Sequence, residues 1–154
     1  RPLDVAREMV RVTRPGGRIV MGNWIPGDPT LVAQILKISA AYAPAPPAGF
    51  ISPVTWGIEA EVRERFGAAG MAPDQIACEP ATYVFRHPGP PTELLAAFRR
   101  YYGPTMNAFA AAESNGRADD LHRELLALFS AQNQGGDFNT IIPATFLRVI
   151  VSRS

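Results

Sequence analysis

The sequence predicts an α/β chain with three strands among helices, and three observations carry that reading. Leu3, Ala6, Met9, Val10 and Thr13 recur at helical spacing and run into Pro15-Gly16-Gly17, which leads straight to the apolar run Ile19-Val20-Met21. A second extended pattern covers Gln75 to His87, with Ile76, Cys78, Tyr83, Val84 and Phe85 as its apolar members. A third, rich in β-branched residues, runs from Ile141 to Val151. Between these runs the apolar spacing is helical.

The elements follow in order from their punctuation. Pro15 cannot continue the first helix, and Gly16 and Gly17 can take the positive φ of a sharp exit. Ile19 to Met21 then reads as a strand covered on both faces, so helix, turn and strand make the second half of a β-α-β crossover. Asp28 can cap the next helix with Pro29 at its first position. That helix carries Val32, Ile35, Leu36, Ser39 and Tyr42 on one face, with Leu31 and Ile38 off it, and so is apolar most of the way round. Ala43 to Pro53, rich in Pro, Ala and Gly, is a loop. Ile58, Val62 and Phe66 form the next stripe, ended by Gly67 or Gly70. Pro80 interrupts the second extended run and predicts an edge strand or a bulge. Thr92 can cap a helix with Leu94, Leu95, Phe98, Tyr101 and Tyr102 on one face. After Gly103-Pro104 a short helix places Met106, Phe109 and Ala110 together, and Ser114-Asn115-Gly116 turns the chain. A last helix starts at Asp119 or Asp120 and aligns Leu121, Leu125, Leu128 and Phe129, before Gly135-Gly136-Asp137 ends it.

Composition bounds the function. The chain has 154 residues, 47% hydrophobic and 19% charged, as a folded domain with a sizeable core does. The net charge is +1 and Lys and Arg do not cluster beyond the pair Arg99-Arg100, which argues against nucleic acid as a partner. Cys78 is the only cysteine, so no intrachain disulfide forms and a reducing cytoplasm is expected. The greasiest run, Leu31 to Ala43, contains Gln34 and Lys37 and is too short to cross a bilayer, so no membrane partner is expected. Arg1 is not an initiator methionine, and the sequence is expected to begin inside a longer reading frame or after processing.

Arg14-Pro15-Gly16-Gly17-Arg18-Ile19-Val20 matches a turn common before the fifth strand of class I S-adenosylmethionine-dependent methyltransferases. The elements after it, including the helix ending at Phe66-Gly67-Ala68-Ala69-Gly70-Met71 and two late β segments, follow that family's order. The chain resembles the C-terminal half of the family's domain. The resemblance implies a single domain, 1–154, built on a partial Rossmann-like sheet of three strands. The last strand would lie antiparallel between the other two, and 29–57 and 91–134 would be lid or substrate-binding insertions. It implies S-adenosylmethionine as cofactor of the parent domain and none for this chain alone, because the glycine-rich cofactor loop and the ribose-binding acid have no counterpart among these residues. It also leaves an open edge on the Ile19 strand, to be paired by the missing N-terminal half or by a second copy in a dimer.

Candidate site residues follow from position. Asn23 and Trp24 stand at the carboxyl end of their strand, the side on which ligands bind in open α/β sheets. Asn23 can orient a substrate oxygen or cap the loop; Trp24 can stack on a ring or cation or pack a lid helix. Trp56, before Gly57, can wall a pocket or staple the helix that follows. Tyr101 and Tyr102, with Tyr42 and Phe50, supply aromatic surface suited to a small apolar acceptor or to core filling. Neither His87 nor His122 has partners at metal-ligand spacing, and no metal is expected. A base built from His122 with Asp119 or Asp120 competes with simple capping. Methyl transfer depends chiefly on proximity and desolvation, so no catalytic side chain is assigned. The alternative is a stand-alone ligand-binding or dimerisation module without catalysis.

Overall fold

The first helix, α1 (Pro2–Val12), ends where Thr13 turns to extended backbone and donates to Met9 O from both its N–H, at 3.2 Å, and its Oγ1, at 2.7 Å. Gly16 then takes φ +75°, open to glycine at no steric cost, and the chain reverses into β1 (Arg18–Trp24). This turn is tied to the C-terminal end of the chain. Gly16 N–H donates to Arg153 O at 2.7 Å and Arg153 N–H donates to Gly17 O at 2.9 Å. The Arg153 guanidinium also donates to the carbonyls of Val10 and Thr13, which α1 leaves open at its end. The structure, a computed structural model, describes residues 1–154.

After β1 come α2 (Leu31–Ala40), a 3-10 turn (Pro53–Gly57), α3 (Glu59–Ala68) and β2 (Ile76–His87). Then follow α4 (Pro91–Tyr101), α5 (Gly103–Ser114), α6 (Ala118–Gln132) and β3 (Thr140–Ser152). The strands form one antiparallel sheet in the order β1-β3-β2. β3 runs antiparallel to β1, with Ile19 opposite Val151, Met21 opposite Val149 and Asn23 opposite Leu147. Along β2, Arg148 pairs with Glu79 while Thr140 Oγ1 donates to Gly89 O at 2.7 Å, so rising numbers meet falling ones on that side too. The last strand therefore lies between the other two and runs against both. β2 is an edge strand and passes through Pro80 unbroken, since an edge tolerates a missing N–H.

The chain divides into two compact units. The first comprises 1–26, 48–81 and 146–154. Its core joins Ala6 of α1, Val62 and Phe66 of α3, Met71, Ile76, and Leu147, Val149 and Val151 of β3. α1 packs on α3, and the 3-10 turn packs on both β1 and α3. The second unit comprises 27–47 and 82–145. Here α2 packs against α5 and α6, and α4 against the same two helices. Leu31, Ile35, Leu95, Leu121, Leu125 and Phe129 are buried. No helix is long and apolar enough to cross a membrane.

Several local expectations are corrected. β1 is not covered on both faces: Ile19 and Met21 pack against the first unit's core, but Val20 is 64% exposed. Within that unit α1 and α3 serve the side to which the odd-numbered residues point. Asp28 does not cap α2. Its carboxylate accepts from the N–H and hydroxyl of Thr30, so the helix starts two residues later, at Leu31. Thr92 does not cap α4 either, because Pro91 opens the helix and Pro90 stands at the cap. Met106 and Ala110 point outward, and the buried face of α5 is Thr105, Ala108, Phe109 and Ala112.

Candidate functional site

At the carboxyl end of β1, Trp24 meets its cross-strand partner Phe146 edge to face, ring centres 6.1 Å apart. Gly57 of the 3-10 turn abuts the Trp24 carbonyl so closely that a Cβ would overlap it. The turn begins at Pro53, and Ser52 O accepts from Thr55 N–H at 3.1 Å and from Thr55 Oγ1 at 2.8 Å. Trp56, half-buried, lies 6.0 Å from Phe66 of α3.

Arg65 of α3 completes this end of the first unit. It is 6% exposed, and its guanidinium carbon lies 4.7 Å from the Trp56 ring centre. Its Nη2 donates to Thr55 Oγ1 at 2.8 Å and to Glu61 Oε2 at 2.7 Å. Its Nη1 is buried with no hydrogen-bond partner, and so is Asn23 Nδ2. A buried donor left unpaired costs about 1–3 kcal/mol, and more when charged. The sequence reading missed Arg65, although Glu61 stands four residues before it, as an ion-paired helix face requires, and Val62 and Phe66 flank it on the buried stripe.

Of the five expected substrate residues, Asn23, Trp24 and Trp56 fall in the first unit, while Tyr101 and Tyr102 fall in the second. Tyr101 is 71% exposed, with the Arg100 guanidinium 5.1 Å from its ring centre. Tyr102 joins an aromatic chain in which Phe98 contacts Tyr102, Phe85 and Phe129 at 5.4, 5.2 and 5.3 Å. Tyr42 is buried, and its hydroxyl donates to Glu124 Oε1 at 2.6 Å. That hydrogen bond to a carboxylate, helped by burial, raises the phenol above its usual range and keeps it protonated. Ser39 on α2 and Thr105 on α5 are buried with unpaired hydroxyls in the same unit.

Other candidates are occupied elsewhere. Asp120 pairs with Arg123 rather than with His122, whose ring faces Phe109 at 6.5 Å. His87 Nε2 lies 3.2 Å from Glu93 Oε2, beside a cleft of about 300 Å³ lined by Arg86, His87, Pro88, Asn139, Thr140 and Ile141. No group of three or more His, Cys, Asp or Glu side chains is arranged to hold a metal ion. Burial pushes the Cys78 thiol above its usual range, against the opposing pull of Arg63.

No family model matches the chain. Uncharacterized proteins of Mycobacterium bovis and of Mycobacterium tuberculosis, strains CDC 1551 and H37Rv, are each 30% identical to it over 115 residues. The match covers 68% of this chain and 36% of each relative, so the chain spans little more than a third of their length.

Proposed function

We propose that this chain is the C-terminal, substrate-side part of an S-adenosylmethionine-dependent methyltransferase acting on a small, predominantly apolar acceptor, and that the chain alone is inactive. The observation that carries the reading is the sheet. A last strand runs antiparallel between two strands that are parallel to each other, and the first of these follows the Pro-Gly-Gly turn. That order supports a partial Rossmann-like sheet of the methyltransferase kind. Ligands of open α/β sheets lie beyond the carboxyl ends of parallel strands, which for β1 is the Asn23–Trp24 end. There Trp24 and Trp56 offer aromatic surface that aligns and desolvates an acceptor, and Asn23 offers a hydrogen bond to one of its oxygens. The segments 29–57 and 91–134 are the lid and substrate-binding elements of this reading.

The chain's own residues do not fit the cofactor. Its Gly-Gly turn enters a strand rather than leaving one, and the N–H of Gly16 is already committed to Arg153 O. The cofactor seat is therefore assigned to polypeptide outside these residues, pairing along the free edge of β1. A cytoplasmic location accords with the single free cysteine.

Calorimetric titration with S-adenosylmethionine tests the reading. The full-length mycobacterial relatives are expected to bind at micromolar concentrations, and this chain is not. Relatives that fail to bind overturn the methyltransferase assignment, and micromolar binding by this chain overturns its inactivity. One observation favours the second reading, a dimerisation module: the same free edge of β1 can accept a second copy.

A further inference from the structure

We propose that the cleft at the carboxyl end of β2 binds a small molecule carrying one carboxylate on a short apolar body. The residues that border it all belong to the second unit, so nothing about the acceptor end of β1 enters. Its volume of about 300 Å³ suits a small ligand. Arg86, His87 and Pro88 border it from β2 and the turn that follows, and Asn139, Thr140 and Ile141 border it where β3 begins. Consecutive strand residues point to opposite faces, so a cleft bordered by both Arg86 and His87 wraps the end of the strand. Its two sides are fixed to each other. Thr140, fully buried, donates from Oγ1 to Gly89 O at 2.7 Å, and Gly89 N–H donates to His87 O at 3.0 Å. One side chain holds the loop that delivers Asn139. Asn133 donates from Nδ2 to Gly136 O and Asn139 O at 2.7 and 3.0 Å, and its Oδ1 accepts from Gly135 N–H and Ile141 N–H at 3.0 and 2.8 Å. The cleft is therefore shaped before a ligand arrives, which lowers the cost of binding.

The side chains around the cleft select an anion of single charge. Arg86 is exposed and in no ion pair, whereas Arg63, Arg65, Arg99 and Arg148 each hold a carboxylate. Its guanidinium is a planar fork matched to two carboxylate oxygens. His87 adds no second uncompensated charge, because its Nε2 lies 3.2 Å from Glu93 Oε2. That pair closes over Gly89, where a Cβ would strike the Glu93 carboxylate. A doubly charged phosphate would thus meet one unmatched cation and one fixed negative charge, whereas a carboxylate meets its match in Arg86. With Nε2 engaged, Nδ1 is the His87 nitrogen left for a ligand, and the exposed Asn139 amide adds a neutral donor. Pro88 and Ile141 supply the apolar wall for the rest of the molecule.

Butyrate is the probe, with butyramide as its uncharged isostere and inorganic phosphate as the rival anion, and the backbone amide resonances of the 154-residue chain are the readout. Butyrate is expected to shift the amides of Arg86, His87, Gly89, Asn139, Thr140 and Ile141 saturably at millimolar concentration. Butyramide is expected to bind at least about tenfold more weakly, and phosphate more weakly than butyrate. Arg86→Gln is expected to weaken butyrate by about tenfold or more, and Asn139→Ala by about threefold. Arg18→Gln removes an exposed arginine of β1 that is also in no ion pair, and is expected to change nothing. Both arginines are exposed, so both variants are expected to keep the wild-type melting transition. Equal losses in Arg86→Gln and Arg18→Gln would reduce the effect to general attraction between opposite charges and overturn the site. Unchanged affinity in Arg86→Gln, equal binding of butyramide or no saturable shift would overturn it too. Phosphate bound more tightly than butyrate overturns the carboxylate. Each of these results leaves S-adenosylmethionine binding by the relatives untouched, so the two readings fail separately.

Discussion

At Gly57 a single hydrogen separates a well-packed turn from a collision. A Cβ there would overlap the Trp24 carbonyl and stand 3.0 Å from Pro26 Cδ. The backbone is not in the left-handed region, so conformation alone permits any residue, and only space forbids one. Gly57→Ala is therefore expected to destabilise the chain by about 1–3 kcal/mol through forced displacement of a packed turn. Gly67→Ala is the matched control: it lies within α3, and its Cβ would enter open space. There the lost flexibility of glycine is expected to stabilise by about 0.5–1 kcal/mol. Urea melts of the two variants check the pair, and equal effects of one sign would refute the close approach of the turn to β1.

At the scale of elements, α6 shows how apolar spacing becomes packing. Leu121, Leu125 and Phe129 recur every four residues and are fully buried, with Phe129 edge to face against Phe98 at 5.3 Å. Phe129→Ala is expected to cost about 3–5 kcal/mol as a cavity opens among helices, whereas Tyr101→Ala, on an exposed ring, should stay within about 0.5 kcal/mol. Comparable losses in chemical denaturation would contradict the burial of α6. Spacing of this kind made the helices and the three strands legible in the sequence, whereas the central place of β3 was implied only by the family resemblance and not by spacing. Their ends were less legible, because a cap is a local competition that spacing does not decide. Asp28 had a nearer hydrogen-bond partner in Thr30, and Pro91 set the start of α4 before Thr92 could. Tyr101 shares the helical phase of buried Phe98 only loosely, and it faces water. Arg65 was illegible for a related reason: an arginine beside an apolar stripe ordinarily lifts its head to solvent, and here Thr55, Glu61 and Trp56 hold it down.

For the whole molecule the unsatisfied feature is the free edge of β1. It has one strand neighbour, β3, and along it Arg18, Val20 and Gly22 are exposed. In the same unit α1 leaves Val5 and Val12 exposed beside a groove of about 390 Å³ that Met9 also lines. An edge strand with free N–H and C=O groups and apolar side chains recruits another strand, and natural edges suppress this with lysine. The mycobacterial relatives carry far more chain than is matched here, ample for such a strand. This chain on its own is therefore expected to self-associate as concentration rises, through β1. Val20→Lys is expected to leave the melting transition almost unchanged, because Val20 is 64% exposed, and to shift sedimentation toward a single small species. A wild-type chain that stays monomeric across the concentration range would show that the edge does not recruit a copy. Association that persists in Val20→Lys would place the contact away from β1, with Val12→Lys then the variant that locates it on α1.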